Sequence, residues 1–352
     1  MKLTPEHRVA ILLHDGLQDV SGKTGLAFLR YGEASVVAII DRNAVGGSLV
    51  DLTGIDRDIP IVATLEDALT YHPDVLLIGI APSGGALPDP WQQEVKQGVK
   101  AGLSVVNGLH TPMRGMVGEL RDHQWIWDIR KEPSGLSIGQ GKARSLPCHR
   151  ILTVGTDMAI GKMSTSLELR NFARQQGINT KMVATGQGGL MIVGEGLPLD
   201  AVRVDFAAGA VEQAVLNIGQ DCDLLLIEGQ GSLLHPGSTA TLPLLRGSQP
   251  TGLILAHRAK QTHIRNCPDI PIPPLPDVIQ LYEQVARGVG AFQPAKVQGI
   301  ALNTAHLGEN EARTAIEQVR RDTGLPCGDV VRFGAISLFQ DILSTIRLER
   351  DI

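Results

Sequence analysis

Short apolar runs recur along the chain, separated by glycine-bearing turns and by stretches whose apolar positions repeat at helical spacing. Residues 9–13 read as a buried strand, followed by a turn and a helix over 25–31. A second strand over 35–41 ends in Asp41, and 59–63, 74–80 and 104–107 supply three more, with a helix over 91–101. The pattern breaks over 131–147, where KEPSG, GQGKA and a proline crowd together, a composition that favours a linker. It restarts with strands over 151–154, 181–185, 223–228, 252–257 and 297–303, and helices over 162–176 and 205–216. The proline-rich run NCPDIPIPPLP, residues 266–276, is expected to be loop, because proline contributes no amide donor. Alternation of this kind predicts an α/β protein with two doubly wound, mostly parallel sheets. The expected domains are Rossmann-like over 1–130 and P-loop NTPase-like over 149–352, joined by a linker over 131–148.

Composition narrows the function more than the fold. At 352 residues the chain is long enough for two cores. A net charge of −5 and an aromatic content of 3% disfavour nucleic acid, which needs basic surface and stacking platforms. Cys148, Cys222, Cys267 and Cys327 are scattered without a C-x-x-C pair, which fits reduced thiols in the cytoplasm better than zinc. The first apolar run is too short for a signal peptide, and none is long enough to span a bilayer. A cytoplasmic protein acting on a small molecule is expected, with a homo-oligomer as a reasonable assembly.

The chemistry concentrates in GTDMAIGKMS, which runs from Gly155 to Ser164 between a predicted strand and a predicted helix. Glycines let such a backbone curl so that amide N–H groups converge on an anion, and the helix N-terminus adds its positive dipole end. Gly155, Thr156, Asp157, Gly161, Lys162, Met163, Ser164 and Thr165 are the candidate phosphate-binding residues, with Lys162 the mobile positive charge. Five residues separate the two glycines, one more than usual, a form that resembles the loop of dethiobiotin synthetase. Met163 stands where a Mg²⁺-binding hydroxyl is usual; Ser164 is about 100° further round the helix and does not replace it. Phosphate holding survives this change, whereas metal-assisted ATP hydrolysis becomes doubtful.

Other candidates end strands. Glu228 closes LLLIE and precedes GQGS, so it is a candidate base, or a Mg²⁺ ligand if a metal is used; Gln230 follows it. Gln187, in TGQGG, ends another strand, and His257, in LILAH, is a second candidate base. Asp205 reads as a helix cap in preference to a site residue. In the first domain, Gly16 to Thr24 repeats the glycine spacing, making Gly22, Lys23 and Thr24 either a second phosphate loop or a simple helix start. Loops at 80–85 and 107–110 also end strands and could line a ligand crevice.

RYGEASVVAIID, WDIRK, VGTDMAIGKMSTSLEL, ATGQGGLMI, DFAAGAVE and LLLIEGQGSLLHPGST together resemble the D-glutamate N-acetyltransferase family, a former domain of unknown function. The resemblance spans nearly the whole chain, and Met163 is similar to the family pattern. It implies a Rossmann-like half, a P-loop half, and transfer of acetyl from acetyl-CoA to the amine of D-glutamate or a related acidic amino acid. Arg203, Arg258 and Arg265 are then candidate carboxylate forks for such a substrate. Two alternatives stay open: an ATP- and Mg²⁺-dependent ligase or kinase of the dethiobiotin synthetase type, and a non-catalytic nucleotide sensor.

Overall fold

The computed structural model describes residues 1–82 and 86–350, so Ser83, Gly84 and Gly85 of the candidate loop at 80–85 lie outside the described residues. The chain divides into two units. The first comprises Met1–Lys131 and Gln187–Gly194; the second comprises Glu132–Gly186 and Glu195–Ile352.

In the first unit, short mostly apolar runs become strands β1 (Arg8–Leu12), β2 (Ser35–Ile40), β3 (Ile61–Val62), β4 (Val75–Ile78), β5 (Ser104–Asn107) and β6 (Ile126–Asp128), of which β4 and β5 are buried throughout and the edge strand β6 is half-buried. All their pairings are parallel, in the order β3-β2-β1-β4-β5-β6, the doubly wound order in which strand sequence reverses between β1 and β4. Helices α1 (Lys23–Tyr31), α2 (Leu49–Thr53), α3 (Leu65–Leu69) and α4 (Asp89–Ala101) form the connections.

The second unit has a parallel sheet of its own, ordered β14-β13-β10-β7-β9-β8. Its strands are β7 (His149–Gly155), β8 (Thr180–Val183), β9 (Leu224–Ile227), β10 (Gly252–Arg258), β13 (Lys296–Asn303) and β14 (Cys327–Gly328). Helices α5 (Lys162–Gln175), α7 (Ala207–Ile218), α8 (Thr241–Ser248), α9 (Leu275–Arg287), α10 (Glu309–Thr323) and α11 (Ile336–Arg350) accompany it. Helix α6 (Gln187–Val193) follows β8 in sequence but belongs to the first unit, where it packs with α1. Its residues from Gly188 to Val193 are buried.

Two expectations change. The expected linker 131–148 is not free: from Glu132 on it is part of the second unit, where the buried Glu212 carboxylate accepts from Gln140 N (3.1 Å) and Lys142 N (2.7 Å), tying it to α7. The proline-rich run is only partly loop. Residues Cys267–Pro271 form β12, antiparallel to β11 (His263–Ile264), and α9 starts at Leu275. Proline is tolerated at the edge of a two-stranded ribbon and in the first helical turn, where no donor is required. Among the described residues, no helix is long and apolar enough to cross a membrane.

Candidate functional site

Strand β7 delivers Gly155 to the carboxyl edge of the second sheet, and the chain curls through residues 156–161 into α5. The curl needs unusual backbone: Ala159 has φ +54° and Gly161 φ +110°, the latter a conformation that L side chains rarely adopt. Among the described residues, no protein acceptor takes the amides of Ala159 through Ser164. They stand at the N-terminus of α5, the positive end of its dipole.

Most polar side chains of the loop are committed to shaping it. Asp157 is fully buried; its Oδ2 accepts from Gln261 Nε2 (2.6 Å) and Arg265 N (2.7 Å), and its Oδ1 from Met158 N (2.6 Å). Thr156 Oγ1 shares a 2.9 Å hydrogen bond with His257 Nδ1. Asn303 Nδ2 donates to Ile160 O (3.1 Å), and Tyr282 Oη donates to Gly155 O (2.7 Å) while accepting from Leu233 N (3.1 Å). Asp157 is thus a buried anchor of the loop. Met163 and Ser164 are half-buried and Thr165 is buried.

Lys162 folds back over this cradle. Its Nζ donates to Asp157 O at 2.7 Å, and burial lowers its pKa from the usual lysine value to about 8, against the opposing attraction of Asp157 and Glu228. Glu228, just past β9, is pushed up to about 7 by burial, although its Oε2 accepts from Thr185 N (2.8 Å) and Gly186 N (3.3 Å). Those donors come from the TGQGG segment after β8, so strand ends distant in sequence converge here. Gln230 is held to the same segment through Nε2 and Thr185 O (2.6 Å). His257, at the end of β10, is lowered to about 4 by burial and is therefore neutral at pH 7.

Other candidates fall elsewhere. Gln187 opens α6 in the first unit, where its Cβ and Cγ lie against Gly108. Asp205 lies in a 3₁₀ turn over Val204–Phe206 and does not cap α7, whose N-cap position is Phe206 with no side-chain bond. Arg203 pairs with Glu132 (3.0 Å) and sits over the Phe206 ring, while Arg258 and Arg265 are exposed.

The glycine loop of the first unit has a different economy of amides. Asp41 accepts from Asp15 N and Leu17 N, Asp19 Oδ1 accepts from Ser21 N, and Gly16, Asp19 and Gly22 donate to carbonyls inside the turn. Gly22 lies so close to Gly16 that an added Cβ would be 2.0 Å from its carbonyl oxygen. Thr24 is buried at the start of α1 and Lys23 is exposed. Lys23 is thus without the inward position that Lys162 has. The first unit also holds a cavity of about 410 Å³, lined among others by His7, His72, His123 and Trp125. It sits by the amino ends of β4 and β5, at the opposite strand ends from those that carry loop chemistry in such sheets.

Sequence reasoning missed Tyr282, Asn303 and Gln261, the residues that hold the P-loop from outside. They lie more than a hundred positions downstream of the P-loop atoms they bind, and no local motif marks them.

Comparison with known proteins agrees with this division. A family model for a domain of unknown function, DUF1611, matches as a Rossmann-like domain over residues 42–132 and a P-loop domain over residues 137–339. A protein of Tritonibacter scottomollicae named D-glutamate N-acetyltransferase is 37% identical over 278 residues, covering 77% of this chain and 82% of its own. One of the same name from a Pseudoalteromonas species is 33% identical over 271 residues, covering 76% and 80%. The crystal structure of a DUF1611 family protein from Anabaena variabilis is 60% identical, with a TM-score of 0.92, over 97% of this chain and 100% of that one. With both domains matched in order and the fold shared along nearly its full length, this chain belongs to the DUF1611 family.

Proposed function

We propose that the chain is an N-acetyltransferase that moves an acetyl group from acetyl-CoA to the amino group of D-glutamate or a related acidic amino acid. The observation that carries this reading is the 37% and 33% identity to two proteins named D-glutamate N-acetyltransferase, each over about three quarters of the chain.

The residues of the P-loop fit the cofactor. Coenzyme A bears a pyrophosphate and a 3′-phosphate, and the amides of Ala159 through Ser164, the α5 dipole and Lys162 together suit such groups. Phosphate holding alone requires no metal, so Met163 in the usual hydroxyl position costs nothing. When bound, acetyl-CoA supplies the activated acetyl group. The protein's own task is then to take a proton from the substrate ammonium, which must be neutral to attack. Glu228, with a pKa near 7, is balanced between its two forms at neutral pH and is the better base. His257, lowered to about 4 and bonded to Thr156, is a weak base and serves to orient the loop. Arg258 and Arg265, both exposed, are candidate cations for the substrate carboxylates.

The test uses the purified chain with acetyl-CoA and D-glutamate in EDTA, following thiol release and N-acetylated product by mass spectrometry. Product formed without divalent metal supports the transferase. ADP formation from ATP and Mg²⁺ with no acetyl transfer would sink it in favour of a ligase. Ligand binding with no turnover of any amine would sink it in favour of a sensor.

A further inference from the structure

Resting on the acetyltransferase reading, we infer that Arg265 is a cofactor-specificity residue, whose guanidinium takes the 3′-phosphate that distinguishes coenzyme A from 3′-dephospho-CoA. The segment after β10 is clasped to the P-loop at two points: Gln261 Nε2 (2.6 Å) and Arg265 N (2.7 Å) both donate to the buried Asp157 Oδ2. Between them Ile264 is 2% exposed, and just beyond them Asn266, at φ +64°, turns the chain from β11 into β12. The main chain of Arg265 is therefore pinned one hydrogen bond from the loop, while the residue itself stays exposed.

Charge on this segment is one-sided. Residues 257–265 carry Arg258, Lys260 and Arg265 and no acid. Lys260 is paired with Glu311 at 2.9 Å, whereas no carboxylate pairs with Arg265 among the described residues. Arg258 ends β10 and, among the described residues, makes no hydrogen bond to the loop, which leaves it to the substrate carboxylates.

Chemistry separates the third phosphate from the other two. The amides of Ala159 through Ser164, with Lys162, form a single cradle at one helix N-terminus, which suits the 5′-pyrophosphate. The 3′-phosphate leaves the ribose from a different carbon, so it lies outside a cradle filled by the pyrophosphate and needs a cation of its own. It is a phosphomonoester and nearly doubly charged at neutral pH, so burying it fully would cost more desolvation than one cation returns. An exposed guanidinium beside the loop avoids that cost, and its planar fork meets two phosphate oxygens at once.

Titration calorimetry on the full-length chain in EDTA compares CoA with 3′-dephospho-CoA. Wild type is expected to bind CoA at least about tenfold more tightly, the scale of one hydrogen bond to a charged group. Arg265→Ala should bring CoA down to the affinity of 3′-dephospho-CoA, which itself should not change, and Arg265→Lys should keep part of the preference. The unchanged binding of 3′-dephospho-CoA also shows that the variant is folded. A wild type that binds both equally, or a preference that survives Arg265→Ala, overturns the inference and leaves the transferase standing. So does an Arg265→Ala whose sole effect is a raised KM for D-glutamate. A wild type that binds neither CoA nor acetyl-CoA overturns the transferase reading itself, and the role of Arg265 with it.

Discussion

Lys162 and Glu228 are buried groups whose charged forms are both disfavoured by desolvation, one moved down to about 8 and the other up to about 7. Lys162→Ala is expected to weaken CoA binding by about 2–3 kcal/mol, the scale of a charge-assisted contact, as read by titration calorimetry. Glu228 makes a separate prediction about stability. Its folded pKa lies above the ordinary carboxylate value of 4.5, so the folded chain binds more protons than the unfolded one between pH 4.5 and 7. Stability from this group is full below pH 4.5 and lost as pH rises to 7, by up to about 3 kcal/mol. Glu228→Gln should remove that slope, so the difference in unfolding free energy between wild type and variant should change across the window. A constant difference would mean that Glu228 is not desolvated.

The elements show what a sequence can and cannot carry. Gly155 to Ser164 and Glu228 were legible because each follows a short apolar run, and an open parallel sheet presents such strand ends on one edge. The brace around the loop was not, because it depends on α9 and β13, which reach the loop only through the fold. Helix α9 was hidden by the prolines before it, read as breakers when Pro276 in fact sits in a first turn. Likewise Asp205, a good cap by type, is displaced by a 3₁₀ turn whose geometry composition does not reveal. Tyr282→Phe tests the brace. It leaves Gly155 O and Leu233 N without their partner, which should cost about 1–3 kcal/mol in denaturant unfolding. An unchanged midpoint would show that the phenol is dispensable.

For the whole molecule, the two sheets were foreseeable from strand and helix alternation, but the path of the chain was not. Helix α6 has the sequence address of the second unit and the packing of the first. Nothing in GLMIV distinguishes a helix that stays from one that leaves, since both must be apolar. A fragment of residues 1–131 therefore lacks the helix that packs with α1. It is expected to bind a hydrophobic dye and to unfold less cooperatively than the full chain; a sharp transition with no dye binding would show that α6 is expendable.

The anchoring of Asp157 has a thermodynamic consequence. Its carboxylate, sealed from water and gripped by three donors, holds the turn in shape from within the chain. On the proposed reading, a phosphate group bound here would meet a braced turn and would spend little of its affinity on ordering the chain. In Asp157→Asn, whose amide hydrogens would oppose those of Gln261 and Arg265, calorimetry should show CoA association carrying a larger entropic penalty.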